Sequence, residues 1–169
     1  MTISARRCLL AVFVALALAG CASPVPPPEE PSMDHTEARA ELDALLQAAQ
    51  DVLPGEWEVS DSGARTCTLP SGERGVDYAL TRFYGRGVPV ESQREVLDSV
   101  IAVWSETEYA PTEIARDPVD GIVATEIVYP ASGVDENGLS FSFALTTRGV
   151  AVGGQSRCAV GDARELGAG

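Results

Sequence analysis

The spacing of apolar residues constrains the fold of this chain most, because it decides which faces can be buried. Apolar residues recur every three or four positions over residues 36–52, and again from Val96 to Trp104, as in amphipathic helices. Elsewhere apolar and polar residues alternate, which predicts strands with one buried face. The strand candidates are residues 56–60, 65–69, 76–84, 112–116, 122–129, 139–147 and 150–158.

Caps and turns complete the fold prediction. Asp34 with Glu37, and Ser92 with Glu95, have the spacing of helix capping boxes. The last four strand candidates are joined by DPVDG, PASGVDENG and RG, turn sequences that favour antiparallel pairing of consecutive strands. We therefore predict an α+β fold, with an antiparallel sheet of about five to seven strands and two amphipathic helices packed on one face.

The N-terminus has the layout of an export signal. Two arginines precede an uncharged apolar run at residues 9–19, shorter than the roughly 20 residues that a transmembrane helix needs. The run leads into the sequence LAGC, which ends at Cys21 and resembles the lipobox of bacterial lipoproteins. The resemblance implies that residues 1–20 are a signal peptide and that Cys21 is lipidated. A plain secretory signal, cleaved near Ala22 or Ser23, is the alternative.

The segment after Cys21 is rich in proline. Such a sequence favours extended polyproline II, so we predict that residues 21–34 are the lipid anchor and a semi-rigid spacer. A ligand for SH3-like modules is the alternative for this segment. Residues 35–169 have the length of a single globular domain. Acyl chains such as palmitate on Cys21 would hold that domain on the outer face of the bacterial cell membrane.

The remaining cysteines suggest a disulfide. Cys8 would leave with the signal peptide and Cys21 would carry lipid, so an exported domain keeps Cys67 and Cys158. In an oxidising compartment two such cysteines are expected to pair. A redox-active or metal-binding pair is the alternative, but the chain contains no C-x-x-C.

Charge excludes some partners and cofactors. The formal net charge is −13, and such a surface repels phosphates, which argues against nucleic-acid binding. The segment YGRGVP contains G-x-G without the third glycine of a dinucleotide fingerprint. We therefore expect no nucleic-acid partner and no cofactor.

Catalytic patterns are weak. The single histidine, His35, lies where the spacer meets the first helix, where we expect a solvated side chain. The segment GGQSRC around Ser156 misses the G-x-S-x-G elbow, and the chain has no lysine. We predict no catalytic or metal-binding residue.

Carboxylates leave two alternatives open. A pair of carboxylates could still serve glycoside hydrolysis, and the candidates are Glu106, Glu108, Glu113, Asp117, Asp120 and Glu126. A loose calcium cluster is a further alternative, with candidates Asp117, Asp120, Asp135 and Glu136.

One strand suggests a binding face. Between residues 139 and 146, Leu and Phe alternate with small or polar residues, so one face packs and the other meets solvent. That outer face could dock an envelope protein or a glycan, since Gly153 and Gly154 in the next strand allow close approach. The residues of this possible face are Ser140, Ser142 and Thr146.

The layout of the whole chain resembles a known group. Its features, in order, are the lipobox, the proline-rich spacer, a helix, Trp57, Cys67, the strand from Tyr78 to Arg82, a second helix and a last strand that ends in Cys158. This order resembles small actinobacterial cell-envelope lipoproteins, which implies a membrane-anchored extracellular protein. We expect a non-catalytic binding or accessory protein of the envelope. A small envelope hydrolase or glycan-active enzyme that uses carboxylates is the alternative.

Overall fold

The computed structural model describes residues 33–118 and 122–167. The predicted signal peptide, Cys21, most of the predicted spacer and Asp120 lie outside these residues.

Two helices form where the apolar stripes predict them. Helix α1 is His35–Asp51, and its capping box is confirmed, with the Asp34 N–H donating to a Glu37 carboxylate oxygen at 3.3 Å. Helix α2 is Val90–Ser105. The capping box predicted at Ser92 is wrong, because α2 begins after Pro89 and the Ser92 N–H already donates to the Pro89 carbonyl at 2.9 Å. Ser92 is therefore in the first turn of the helix.

Six strands follow the predicted alternation. They are β1 Glu58–Thr68, β2 Arg74–Tyr84, β3 Thr112–Ala115, β4 Thr125–Tyr129, β5 Ser140–Leu145 and β6 Val150–Gln155. The prediction of two short strands at residues 56–60 and 65–69 is wrong, since β1 is one strand with a bulge between Asp61 and Ala64. Gly63 has a φ of +72° there, and its N–H donates to the Asp61 carboxylate at 2.8 Å. The sequence Asp61-Ser62-Gly63 therefore bends one strand instead of separating two.

The strands form one sheet in the order β1-β2-β6-β5-β4-β3, and every neighbouring pair is antiparallel. The predicted consecutive pairing of the last four strands is confirmed. The pairing of β2 with β6 joins the two halves of the chain. The α+β fold with an antiparallel sheet is therefore confirmed.

The core lies between the helices and one face of this sheet. Leu42 and Leu46 of α1 and Trp104 of α2 are fully buried against Phe141 and Phe143 of β5. The Trp104 indole N–H donates to the Leu45 carbonyl at 2.9 Å, and its ring meets the Phe141 ring edge-on at 4.7 Å. Trp104 thus connects both helices to the sheet.

A buried arginine also connects α1 to the sheet. Arg82 of β2 is 5% exposed, and its guanidinium donates to the Asp43 carboxylate at 2.6 Å. It also donates to the side-chain oxygens of Gln47 and Gln50, at 2.7 and 2.6 Å. These three partners compensate the buried charge, as a charge in a protein interior requires.

The predicted disulfide is confirmed. Cys67 of β1 is bonded to Cys158, which lies just beyond β6, with a Cα–Cα distance of 5.9 Å. Gly75 lies opposite Cys67, and a Cβ there would come within 2.5 Å of the Ala159 carbonyl oxygen. The backbone after the disulfide therefore packs directly on β2.

Candidate functional site

The sheet face opposite the helices, called the open face here, carries short side chains at its centre. Thr81 of β2 is paired with Gly153 of β6, which is paired with Ser142 of β5. Because paired residues in neighbouring strands point to the same side, two hydroxyl groups flank a glycine on this face. The main chain of β6 is thus uncovered between Thr81 and Ser142.

A second row on the open face runs parallel to the first. Phe83 is paired with Ala151, Ala151 with Ala144, and Ala144 with Glu126. Phe83 is 44% exposed. This row therefore places an exposed aromatic ring at one end and a carboxylate at the other, with two alanines between them.

Apart from Phe83, the residues of these rows line a groove of about 590 Å³, called the open-face groove. Its floor residues are Thr81, Ser140, Ser142, Ala144, Ala151 and Gly153. One wall is the loop at residues 130–133, which follows β4. The other wall contains Arg116 and Glu126, whose side chains form an ion pair at 2.5 Å. The groove is thus lined by small and hydroxyl-bearing residues, one ion pair, and larger residues that include Val128 and Tyr129 of β4.

A buried carboxylate lies on the same face, toward the disulfide. Asp77 of β2 is 5% exposed and accepts hydrogen bonds from Arg65 at 2.8 Å and from Gln155 at 2.9 Å. Arg65 and Asp77 are paired residues of β1 and β2. Both Asp77 oxygens therefore have partners, and the group serves to join three strands.

Two of the three residues predicted for a binding face share the groove. Ser140 and Ser142 line it, but Thr146 does not. The Thr146 hydroxyl donates to the Gly149 carbonyl at 2.9 Å and accepts from the Arg148 and Gly149 N–H groups at 3.0 Å. Thr146 therefore closes the turn between β5 and β6 by bonding to nearby backbone groups.

The two glycines of β6 leave space on opposite faces of the sheet. Gly153 lies on the groove floor. A Cβ at Gly154 would come within 2.9 Å of the Leu42 side chain, so this glycine allows α1 to approach the sheet. The missing side chain of Gly153 thus belongs to the open face, and that of Gly154 to the helix side of the sheet.

A second, more polar cavity of about 480 Å³ surrounds Arg157. The Arg157 guanidinium donates to Glu41 at 2.9 Å and to the Tyr109 hydroxyl at 2.6 Å, and Tyr109 in turn donates to Glu41. Burial and the Glu41 carboxylate raise the pKa of Tyr109 well above its usual value. Burial opposes the charge of Arg157, but its hydrogen bonds to Tyr109 and Glu41 outweigh burial and raise the pKa of Arg157.

The raised pKa of Tyr109 argues against a nucleophilic role for this residue at the second cavity. A phenol whose pKa is raised stays protonated at neutral pH and is a poor nucleophile. Tyr109 also packs against Tyr129 and Phe141, with ring centroids at 4.8 and 5.6 Å. The Glu41–Tyr109–Arg157 network therefore holds α1, the segment after α2 and the segment after β6 together.

The residues considered for catalysis are mostly engaged in structural contacts. Ser156 is fully buried, where its hydroxyl accepts from the Tyr78 N–H at 2.9 Å and donates to the Arg157 carbonyl at 3.0 Å. His35 is half-buried, not solvated as expected, and its Nδ1 lies 3.1 Å from the Tyr78 hydroxyl. Both side chains are thus engaged in hydrogen bonds within the domain.

Three of the candidate carboxylates have a basic partner. Glu113 is paired with Arg94 at 2.9 Å, Glu126 with Arg116, and Glu108 lies 3.4 Å from Arg157. In the part of the chain that the structure describes, no group of three or more His, Cys, Asp or Glu side chains is placed to hold a metal ion. Within residues 33–118 and 122–167, no helix is both long and apolar enough to cross a bilayer.

The fold also occurs in a solved structure. The chain is similar to the crystal structure of a DUF4853 family protein from Actinomyces odontolyticus, with a TM-score of 0.53 and 16% sequence identity. The similarity covers 85% of this chain and 78% of that chain. No protein-family model and no curated protein matches the sequence. At this identity the likeness shows the fold alone.

The groove contains residues that sequence reasoning did not bring together. Alternation in β2 places Thr81 and Phe83 on one face, opposite Val76 and Leu80, and the structure agrees. Only the pairing of β2 with β6 brings Thr81 beside Gly153 and Ser142, and no local pattern encodes that pairing. The residues missed in this way are Thr81 and Arg116 in the groove, Phe83 beside it, and Glu41, Tyr109 and Arg157 at the second cavity.

Proposed function

We propose that this protein is a lipid-anchored protein of the bacterial envelope that binds a partner in the open-face groove and catalyses no reaction. The observation that carries the proposal is the groove itself, an uncovered sheet face whose floor is made of short side chains. An uncovered concave surface with a few convergent polar groups is a common form of binding site.

Two observations support a location outside the cytoplasm. The sequence LAGC at residues 18–21 follows an apolar run, and a proline-rich segment follows Cys21. The Cys67–Cys158 disulfide fits an oxidising compartment, where such bonds persist. Lipid on Cys21 and the spacer after it would hold the domain, and so the groove, outside the membrane.

The contacts of the polar residues support binding over catalysis. Acid–base and nucleophilic catalysis need a group that is poised to react and has a partner within hydrogen-bond reach. In the groove, Glu126 forms an ion pair with Arg116. Elsewhere on the same sheet face, Asp77 accepts hydrogen bonds from Arg65 and Gln155. Such compensated carboxylates orient a ligand or a strand more readily than they transfer protons.

Lipidation is tested by replacing the predicted lipid-bearing cysteine. With Cys21→Ser we expect no incorporation of a labelled fatty acid, and a protein that is either released or kept as precursor. Cys8→Ser is the matched control, since Cys8 precedes the cleavage site and should leave labelling unchanged. Metabolic labelling and membrane fractionation measure both variants. A mature, labelled Cys21→Ser protein would show that the anchor is elsewhere.

The binding role is tested from the groove floor. A photo-crosslinking amino acid in place of Ala144, on the floor, should give a discrete crosslinked product on irradiation of intact cells. The same amino acid in place of Ala40, which is exposed on α1, is the control and should give no such product. Ser142→Leu, which fills the floor beside Gly153, should suppress the product. Equal crosslinking from both positions would contradict binding in the groove.

A further inference from the structure

The geometry points to an uncharged carbohydrate as the ligand of the open-face groove, an inference that rests on the binding function proposed above. A carbohydrate is rich in hydroxyl groups, each of which donates one hydrogen bond and accepts others. The groove offers groups of the same dual character together with an exposed ring at its margin.

The hydroxyl groups of the floor match this ligand. Thr81 and Ser142 flank Gly153 in one row, and Ser140 lies in the next row along β5. A Ser or Thr hydroxyl both donates and accepts, so it can pair with either role of a sugar hydroxyl. A Cβ at Gly153 would come within 3.1 Å of the Thr81 hydroxyl oxygen, so a side chain there would crowd that hydroxyl.

The charges of the groove also favour a neutral ligand. Of the described residues that line it, only Arg116 and Glu126 are charged, and they form an ion pair at 2.5 Å. The guanidinium supplies donors and the carboxylate supplies acceptors, so the pair can bind neighbouring sugar hydroxyls without a net charge. A polyanion would be repelled by a chain of net charge −13, and a polycation would find no uncompensated carboxylate in the groove.

An apolar surface borders the hydroxyl groups. Phe83 is 44% exposed and lies in the same row as Ala151 and Ala144. Sugar rings have apolar C–H faces, and an exposed aromatic ring provides a large apolar surface for such a face. Together, Phe83 and the two alanines form an apolar strip beside the hydroxyl row.

The inference is tested with oligosaccharides that differ in charge. The probes are chitohexaose and maltohexaose, which are uncharged, fully deacetylated chitohexaose, which is cationic, and a hyaluronan hexasaccharide, which is anionic. The full-length exported protein, in a zwitterionic detergent that carries no sugar, is titrated with each probe by calorimetry. We expect an uncharged hexamer to bind at least tenfold more tightly than either charged one.

Matched variants locate the binding. Ser142→Leu should weaken binding of the uncharged hexamer at least tenfold. Ser105→Leu makes the same change at the end of α2, away from the open face, and should leave binding unchanged. Thermal melting of both variants shows whether the domain is folded. Equal loss in both folded variants would contradict binding on the groove floor.

The remaining outcomes separate the ligand from the binding function. Tighter binding of a charged hexamer would overturn the neutral-carbohydrate inference and leave a binding role in place. No binding of any hexamer, with specific crosslinking from Ala144, would also overturn the inference and indicate a different partner. No binding and no crosslinking would overturn both the inference and the proposed function.

Discussion

Replacing Cys67 and Cys158 together with serine is expected to lower the free energy of unfolding by about 4 kcal/mol. The two cysteines are 91 residues apart, so the bond closes a long loop and strongly restricts the unfolded chain. Since small domains are stable by only about 5–15 kcal/mol, a loss of this size should bring the protein close to unfolding at 37 °C. Urea unfolding of the oxidised wild type and of the double variant measures the difference.

Reduction of the wild type provides an independent control. The reduced wild type should unfold at nearly the same urea concentration as the double serine variant, because both lack the same cross-link. Equal stability of the oxidised wild type and the double variant would contradict a stabilising role. Two free thiols in freshly purified exported protein would contradict the bond itself.

Trp104→Ala is expected to lower the free energy of unfolding by about 4 kcal/mol, by leaving a large cavity in the core. The side chain is fully buried, packs edge-on against Phe141 and donates to the Leu45 carbonyl. Its removal thus weakens contacts of α2 with the sheet and with α1. Denaturant unfolding followed by circular dichroism measures the loss.

The other tryptophan gives a matched control. Trp57 is half-buried before β1, where its N–H donates to the Leu53 carbonyl at 3.1 Å and its ring lies 5.3 Å from that of Tyr84. Trp57→Ala should therefore lower the free energy of unfolding by less, about 1 kcal/mol, a typical loss for a single substitution. A larger loss at Trp57 than at Trp104 would contradict the position of the core.

Local sequence patterns predicted the helices and strands of this fold better than the positions where these elements begin and bend. The apolar stripes of α1 and α2 appear on the buried sides of both helices, because burial of one face is what selects a helical period. Ser92 was assigned to a cap because its spacing to Glu95 fits, but the fixed φ of Pro89 starts the helix earlier. At Gly63, sequence cannot distinguish a turn from a bulge, since both use a positive φ.

The candidate site was predictable only in part, for a related reason. Ser140 and Ser142 were found because alternation within one strand reveals which side chains share a face. Arg116 and Thr81 lie far apart in sequence, and both line the groove only because of the order in which the strands pair. Arg157 follows a strand and has no pattern of its own, and its role depends on Glu41, 116 residues away. Long-range pairing of this kind leaves no trace in local spacing.

The central position of the last strand has a consequence for how the chain is made. Strand β6 lies between β2 and β5, so the β1–β2 hairpin has no partner for its inner edge until residues 150–155 have left the ribosome. The sheet therefore cannot be completed before the whole of β6 has been synthesised. A premature stop before Val150 would leave both halves without their shared strand, and the truncated product would be a substrate for proteases.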